Sequence, residues 1–204
     1  MNRPWRDRSE AGRQVALRLS AYVGRPDVVA LALPRGGVPA ACAVARAWGT
    51  PLDVVPVHTL AVPGYAELAM GAIAAGGVRV LKAAVVRGLD RAPDTIDAVA
   101  ARGGEELARR ERAYRADRPP PEVAGRTIIL VDVAAPATCE ALRAEVDDIV
   151  CALTPEPFDA VGLWDADFAP STDVEVHALL EWVRSRAASD TEARTPGETT
   201  DGGT

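Results

Sequence analysis

Residues 27–37 read DVVALALPRGG, and this stretch determines how the rest of the chain is interpreted. Residues 27–33 form an apolar run typical of a short buried strand, and they lead directly into a Pro-Arg-Gly-Gly turn. A helix is expected from Val38, because the proline that follows suits a first helical turn, and it ends at Gly49, which can supply a left-handed stop. LDVVPV at 52–57 is a second strand, rich in β-branched residues. Strand, helix and strand within about 30 residues predict a βαβ unit.

Composition favours helices packed on a sheet of small aliphatic strands. Hydrophobic residues make up 48% of the 204 residues but aromatic residues only 4%, so alanine, valine and leucine must fill the core. No run of about 18 uncharged apolar residues occurs, which argues against a membrane span. The N-terminal segment MNRPWRDRSEAGR is too charged for a secretory signal, so we expect a cytoplasmic protein.

Charge and cysteine content argue against two further classes of partner. The net charge of −6 disfavours nucleic acid as the main partner. The cysteines, Cys42, Cys139 and Cys151, form no C-x-x-C pair and are odd in number. Reduced thiols are therefore favoured over a metal site.

The remaining elements are predicted from hydrophobic periodicity and from the positions of glycine and proline. Residues 62–86 are irregular and predict a loop, a short helix around Glu67–Met70 and a hairpin. A charged helix is expected over 93–117, with a break at Gly103-Gly104 because each glycine inside a helix costs about 1 kcal/mol. Other expected elements are a helix over 7–22, a strand over 127–132, a helix over 137–145, strands near 149–153 and 160–164, and a closing helix over 173–186. The last 18 residues lack Val, Ile, Leu and aromatics, which predicts one domain over 1–186 and a disordered tail over 187–204.

The Pro-Arg-Gly-Gly turn has two interpretations. Backbone N–H groups of Gly36 and Gly37, just before a helix N-terminus, can approach an anion, and Arg35 can add a positive charge. Alternatively, a tight strand-to-helix turn needs glycine for conformational reasons alone. The motif matches neither G-x-G-x-x-G nor the P-loop, and by itself it leaves both interpretations open.

Other polar residues offer weaker indications of a site. His58 ends the predicted second strand and lies near the glycine turn if the sheet is parallel, whereas His177 is most simply a surface residue of the last helix. Glu67 falls on the predicted short helix over the same strand edge. The arginines over 109–115 lie at helical spacing from glutamates and predict a solvated, salt-bridged face. No G-x-S-x-G motif and no cluster of metal ligands is present in the sequence.

The strand over 127–132 ends on Asp132, and a buried strand that delivers a carboxylate to its C-terminal edge is a common element of active sites. The residues that follow, Val-Ala-Ala-Pro-Ala-Thr, contain no glycine and no second acid. The sequence around Asp132 is therefore compatible with a working site, a damaged site or a simple strand end.

Several motifs occur in the order found in one protein family. They are DRSEAG, LALPRGGVPAA, PLDVVPVHTLAVPGYAELAMGAIAAGG, ARRERAYR, GRTIILVD, and PEPFDAVGLWDADF followed by DVEVHALL. Over most of residues 6–182 they resemble the bacterial stand-alone phosphoribosyltransferase-domain family, which has the type I phosphoribosyltransferase fold.

The resemblance implies an α/β sheet that binds phosphoribosyl pyrophosphate with Mg²⁺ and transfers ribose 5-phosphate to or from a nitrogenous base. Arg35, Gly36 and Gly37 would then hold the pyrophosphate, and Asp132 would hold the ribose hydroxyls. His58, Thr59 and Glu67 complete the expected set of substrate-binding residues.

The chain departs from this family at two places. Family members usually carry Arg-Lys where this chain has His58-Thr59, and a glycine of the same segment is Ala61 here. The family's second acid and its Gly-Thr-rich phosphate loop are also absent after Asp132, where Val133 begins a segment resembling a later part of the family. Either the loop degenerated in place or a helix-strand unit of roughly 30 residues was deleted. We favour deletion, because the sequence after Val133 matches the later segment.

We therefore expect an α/β fold of the type I phosphoribosyltransferase kind: a Rossmann-like parallel sheet flanked by helices and shortened by one helix-strand unit. The implied function is phosphoribosyl transfer with impaired catalysis; the alternatives are a non-catalytic protein that binds a phosphate ligand or a partner, and a decayed gene product. The expected partner is a small phosphate-bearing molecule with Mg²⁺, rather than nucleic acid or a membrane. Apolar surface left by the shortened sheet must be covered by neighbouring segments or by a second copy in a homodimer.

Overall fold

The computed structural model describes residues 5–88, 93–116, 118–131 and 171–194, together with residues 140, 147, 148 and 169. Its helices are α1 (Arg8–Arg18), α2 (Val38–Trp48), α3 (Ala83–Gly88), α4 (Pro93–Arg115) and α5 (Asp173–Arg194). Its strands are β1 (Val28–Ala32), β2 (Leu52–Val54), β3 (Val57–Val62), β4 (Tyr65–Ala74), β5 (Arg79–Leu81) and β6 (Thr127–Val131). In this part of the chain the strands form two three-stranded sheets.

The first sheet is parallel and has the strand order β2-β1-β6. β1 is central, and all five of its residues are buried, as expected for a strand covered on both faces. In register, Ala30 lies opposite Leu52 on one side and Ile129 on the other. The parallel sheet confirms the predicted βαβ unit and the α/β class.

Helices α1, α2 and α5 contribute to the core around this sheet. α2 ends at Gly49, which has φ 65°, so the predicted left-handed stop is confirmed. α1 packs so closely on α2 that a Cβ atom on Gly12 would lie 2.2 Å from the Ala40 carbonyl oxygen. The indole N–H of Trp48 donates to the Ala16 carbonyl of α1 at 3.2 Å. Small side chains thus allow the helices to approach closely, as the low aromatic content predicts.

The second sheet is antiparallel, in the order β3-β4-β5, and packs against α4. Its inner face forms a separate hydrophobic cluster. The buried members of this cluster are Leu60, Val62, Met70, Ile73, Ile96 and Leu107. The described part of the chain therefore has two separate hydrophobic cores.

The prediction of one strand over 52–57 is wrong. β2 ends at Val54 in the parallel sheet, and the chain then enters β3 of the antiparallel sheet at Val57. The reason is Pro56, which has no N–H to donate to a continuous ladder. The last parallel contact is made by the Val55 N–H, which donates to the Ala32 carbonyl at 2.9 Å.

The predicted helix around Glu67–Met70 is also wrong, because these residues lie within the ten-residue strand β4. Pairing of β4 with both β3 and β5 supplies backbone hydrogen bonds that an isolated short helix could not match. The predicted hairpin is present, and it begins earlier than expected.

α4 runs for 23 residues without the break predicted at Gly103-Gly104. Gly103 is buried against the antiparallel sheet, where a Cβ would lie 2.7 Å from His58 Cδ2 and 3.1 Å from Ile73 Cδ1. The packing made possible by this glycine offsets its helix penalty.

Two other helix bounds differ from the sequence-based expectation. α1 begins after Asp7, whose carboxylate accepts from the Glu10 N–H at 2.7 Å, and it ends at Arg18 before a separate 3₁₀ turn, Ser20–Tyr22. α5 extends to Arg194, eight residues beyond the boundary expected at 186. Apart from residue 140, the predicted helix over 137–145 and the strands near 149–153 and 160–164 lie outside the described residues. The disordered tail predicted over 187–204 is wrong for residues 187–194, which α5 includes, and stays a prediction from residue 195 onward.

Candidate functional site

The Pro-Arg-Gly-Gly turn lies at the carboxyl end of the central strand β1. The peptide bond between Pro34 and Arg35 is cis. The turn is closed by two backbone hydrogen bonds, from the Gly37 N–H to the Leu33 carbonyl at 3.0 Å and from the Val38 N–H to the Arg35 carbonyl at 3.2 Å. The carboxyl ends of parallel strands are where α/β proteins usually bind ligands.

The two glycines of the turn have different environments. A Cβ on Gly37 would lie 2.9 Å from the carbonyl oxygens of both Leu33 and Val131, so Gly37 is needed where β1 and β6 meet the turn. Gly36 is exposed, has no left-handed φ, and has nothing within 4 Å of a built Cβ. The structural interpretation of the sequence therefore explains Gly37 but leaves Gly36 without a steric reason.

Arg35 and Gly36 form the part of the turn that can receive an anion. Both are exposed. Among the described residues their backbone N–H groups meet no acceptor, and the Arg35 guanidinium has no hydrogen bond or ion pair. The adjacent N-terminus of α2 adds a favourable dipole for negative charge. Of the backbone donors expected from the sequence, the Gly37 N–H is used within the turn and the Gly36 N–H is available.

A hydrogen-bonded pair that the sequence does not predict joins α4 to α5. The Tyr114 hydroxyl of α4 donates to Asp173 Oδ1 of α5 at 2.6 Å. Burial, followed by this hydrogen bond and the negative charge of Asp173, raises the pKa of Tyr114 to about 12, against smaller opposite effects of Arg110 and Arg35. Tyr114 and Asp173 stand in the ARRERAYR and DVEVHALL motifs, but nothing in the sequence alone indicates that they meet.

The arginine-rich part of α4 is only partly the solvated face that its sequence predicts. Glu106 binds both Arg109 and Arg110 at 2.7 Å, and hydrogen bonds from these two arginines lower the pKa of Glu106 to about 2. The prediction of a solvated face is wrong for Arg115, because its side chain is only 5% exposed and contacts Asp53 Oδ2 at 3.3 Å. Arg184 of α5 contacts the same carboxylate at 3.2 Å, which makes Asp53 a buried junction of β2, α4 and α5.

His58 and Thr59 lie on a different element from the one that the sequence predicts. The sequence predicts His58 at the end of a parallel strand, but it belongs to the antiparallel strand β3 and packs against Gly103. His58 and Thr59 line an open groove of about 670 Å³ between β3, the β3–β4 turn and α4. Glu67 is exposed on β4 and is not among the residues that line this groove.

The other candidates are placed as follows. Asp132 lies outside the described residues, but Val131 ends β6 against Gly37, so the strand leads toward the turn. His177 is exposed on α5, as predicted. Within the described segments no group of three or more His, Cys, Asp or Glu side chains could hold a metal ion, and none of their helices is long and apolar enough to cross a membrane.

Comparison with known proteins gives the following similarities. Two Mycobacterium tuberculosis proteins named "Putative phosphoribosyl transferase", MT0597 of strain CDC 1551 and Rv0571c of strain H37Rv, are each 39% identical over 86% of this chain and 46% of their own length. The chain thus spans about half the length of these curated relatives. The alignment is 204 residues long, whereas 86% of this chain is about 175 residues, so about 29 aligned positions have no counterpart here.

The solved structure of TT1426 from Thermus thermophilus is similar over 88% of this chain and 99% of that chain, with a TM-score of 0.71 and 35% identity. No family model matches the chain. The ordered motifs, the parallel sheet that carries the Pro-Arg-Gly-Gly turn and these similarities together show that the chain belongs to the type I phosphoribosyltransferase family.

Proposed function

We propose that this phosphoribosyltransferase-like protein binds the pyrophosphate group of phosphoribosyl pyrophosphate on the Arg35–Gly36 turn. One observation carries the proposal: Arg35 and Gly36 are exposed residues at the carboxyl end of the central strand, and within the described residues the Arg35 guanidinium and the two backbone amides have no hydrogen-bond or ion-pair partner. The inherited reaction is transfer of ribose 5-phosphate between this ligand and a nitrogenous base.

The turn suits the charge that develops in such a transfer. Departure of pyrophosphate from the ribose C1 leaves positive charge on the sugar and places negative charge on the leaving group. The Arg35 guanidinium and the N–H groups of Arg35 and Gly36 would donate to the leaving-group oxygens, which stabilises that negative charge in the transition state. Gly37 fixes the turn between β1 and β6 so that these donors are held in place.

Mg²⁺ would reach this site with the ligand rather than on the protein. The described residues of the turn offer N–H donors and a guanidinium, which suit anionic oxygens and not a hard cation. Mg²⁺ prefers oxygen ligands and commonly binds substrate phosphates together with water. When bound, the ion would neutralise part of the pyrophosphate charge.

Catalysis in this chain is proposed to be weak or absent. About 29 positions of the aligned relatives have no counterpart here, which supports the deletion of roughly one helix-strand unit that the sequence after Asp132 suggests. Loss of a glycine-rich loop removes backbone amides that would hold the 5′-phosphate. His58-Thr59 also offers no fixed charge where family members usually carry Arg-Lys.

The alternative proposal is a non-catalytic protein that binds a phosphate ligand. Two features of the chain favour this alternative. The Arg35–Gly36 turn keeps its hydrogen-bond donors, whereas the sequence after Asp132 has no second acid and no glycine loop. Such a protein would bind phosphoribosyl pyrophosphate or a related diphosphate without turning it over.

Isothermal titration with phosphoribosyl pyrophosphate and Mg²⁺, paired with a base-dependent assay of pyrophosphate release, tests both proposals. We expect binding in the micromolar range, and a loss of roughly tenfold or more in Arg35→Gln, because that variant removes a charge-assisted contact. Arg87→Gln is the matched control, since Arg87 is also exposed but lies on α3, which packs against the hydrophobic cluster of the antiparallel sheet.

Three outcomes separate the interpretations. Micromolar binding with pyrophosphate release supports residual catalysis, and micromolar binding without release supports the binding protein. Millimolar or absent binding, or equal affinity in Arg35→Gln and the wild type, contradicts the assignment of the turn.

A further inference from the structure

The groove that His58 and Thr59 line includes no residue of the Arg35–Gly36 turn. One wall is β3, the end is the β3–β4 turn at Pro63 and Gly64, and the other wall is α4 at Val99, Arg102 and Gly103. Its volume of about 670 Å³ falls within the usual range for small-molecule sites.

The lining combines apolar walls with a few polar groups. Ala61, Val62, Pro63 and Val99 are apolar, and His58 and Thr59 supply an imidazole and a hydroxyl. Arg102 is the one charged side chain among the lining residues; it is exposed and, within the described residues, has no hydrogen bond or ion pair. A pocket with apolar walls and a small number of placed polar groups is the usual form of a ligand site.

The edge of the antiparallel sheet adds backbone groups to this lining. In the described part of the chain β3 is an outer strand of the order β3-β4-β5, so its edge away from β4 has no ladder partner. The N–H and C=O groups on that edge are available to a ligand in the groove, as on any unpaired strand edge.

The absence of a side chain at Gly103 leaves room for the His58 imidazole in the groove. The imidazole lies so close to the helix that a Cβ at position 103 would be 2.7 Å from Cδ2 and 3.3 Å from Nε2 of His58. Gly104, the next residue of α4, has nothing within 4 Å of a built Cβ. Of the two helix-weakening glycines, only Gly103 is thus required by the position of the groove imidazole.

From these observations we propose that the groove is a second ligand site, which binds a small planar carboxylate with a single negative charge. One unpaired guanidinium matches one carboxylate, and Arg is well suited to bidentate contact with a carboxylate group. The apolar walls and the flat imidazole suit a ring. A phosphate dianion fits less well, because the lining residues include no second fixed cation.

The site is separate from the proposed pyrophosphate turn. None of the residues that line the groove belongs to the turn: Gly37 of the turn packs against the carbonyl groups of Leu33 and Val131 at the parallel sheet, whereas the groove lies between β3, the β3–β4 turn and α4. Ligands at the two sites should therefore bind without displacing each other.

The test uses the full chain at pH 7.5, with benzoate as the probe and with benzamide and inorganic phosphate as comparison ligands. Ligand-observed NMR titration is expected to show saturable benzoate binding, with benzamide and phosphate each weaker by roughly tenfold or more because each lacks either the charge or the ring. Benzoate binding should persist in the presence of saturating inorganic pyrophosphate and in Arg35→Gln.

Two pairs of variants locate the site. Arg102→Gln should weaken benzoate binding by roughly tenfold or more but leave benzamide binding unchanged, whereas Arg112→Gln, an exposed arginine of the same helix outside the groove, should change neither. Gly103→Ala should weaken benzoate binding because the methyl group displaces His58. Gly104→Ala, which places the same methyl group in open space, should leave benzoate binding unchanged.

The proposal is overturned if benzoate shows no saturable binding, if Arg102→Gln binds it as well as the wild type does, or if inorganic phosphate binds more tightly than benzoate. Stoichiometric displacement of benzoate by pyrophosphate would show that both ligands bind at one site, and it would overturn the assignment of two sites.

Discussion

At the scale of single residues, the two adjacent glycines of the Pro-Arg-Gly-Gly turn have different structural roles. Gly37 has no room for a side chain, because the carbonyl oxygens of Leu33 and Val131 approach it from two strands. Gly36 has room and faces solvent. From the sequence alone the structural and the anion-binding interpretations of the turn are alternatives, whereas in the structure each glycine has its own environment.

Gly37→Ala should therefore lower the free energy of unfolding by about 1–3 kcal/mol, since an added methyl group must move backbone of β1 or β6. Gly36→Ala should range from neutral to slightly stabilising, by up to about 1 kcal/mol, because it restricts the unfolded chain without strain in the folded one. Urea unfolding of both variants measures the difference. Equal destabilisation by the two substitutions would show that Gly37 is not tightly packed.

At the scale of elements, the buried carboxylate of Asp53 connects β2 to two helices. Its partners are Arg115 of α4 and Arg184 of α5, and Asp53 Oδ1 also accepts from the Val54 N–H at 2.7 Å. Arg115 additionally donates to the Val54 carbonyl at 2.6 Å and forms an ion pair with Glu111. The helices therefore meet the edge strand of the parallel sheet through charge as well as through apolar packing.

Asp53→Ala should cost about 3–5 kcal/mol in the free energy of unfolding, because it leaves buried guanidinium groups without their carboxylate. Asp97→Ala is the control, since it removes the exposed contact with Arg79, in which the Asp97 side chain is 63% exposed, and should cost less than about 1 kcal/mol. Urea unfolding would give both free-energy differences, provided that the slope of the unfolding free energy against urea concentration is the same in the variants and the wild type. A small loss for Asp53→Ala would mean that the network contributes no net stability.

At the scale of the whole molecule, stability should decline at both ends of the pH range. Hydrogen bonds lower the pKa values of several surface carboxylates, and such groups stabilise the fold at neutral pH and lose that effect as pH falls below their unfolded values. Examples are Asp7, Glu106, Glu175 and Glu181. Tyr114 acts in the opposite direction, since burial and the Asp173 hydrogen bond favour its neutral form.

The loss of stability at alkaline pH can be tested through Tyr114. The pKa of Tyr114 is about 12 in the folded protein against 10 when unperturbed, so its contribution is complete below pH 10 and is lost between pH 10 and 12. The loss should be of the order of 2 kcal/mol. Urea unfolding from pH 8 to 12 should show this decline in the wild type and a reduced decline in Tyr114→Phe. Tyr65→Phe, at an exposed position, should keep the wild-type profile, and an equal decline in all three proteins would contradict the assignment to Tyr114.

Much of the fold follows from local sequence. The apolar run of β1, the extent of α2 with its glycine stop, and the apolar strand β6 are all predicted from short windows, because hydrophobic periodicity and glycine conformation act over a few residues. The place of the Arg35–Gly36 turn is fixed by the same windows, since it joins two of these elements. The ordered motifs indicate the family for the same reason.

What required the tertiary structure are contacts between segments far apart in the chain. Arg115 reaches Asp53 over 62 positions and Tyr114 reaches Asp173 over 59, so no local pattern distinguishes these side chains from their solvated neighbours. Pairing with β3 and β5 makes a strand of the segment around Glu67, and close packing on His58 keeps α4 continuous at Gly103. The sequence by itself thus determined the family, the strands β1 and β6 and the turn, because short local patterns specify them. The tertiary structure alone decided which charges are buried and where His58 lies, because burial and pairing depend on partners that only the folded chain brings together.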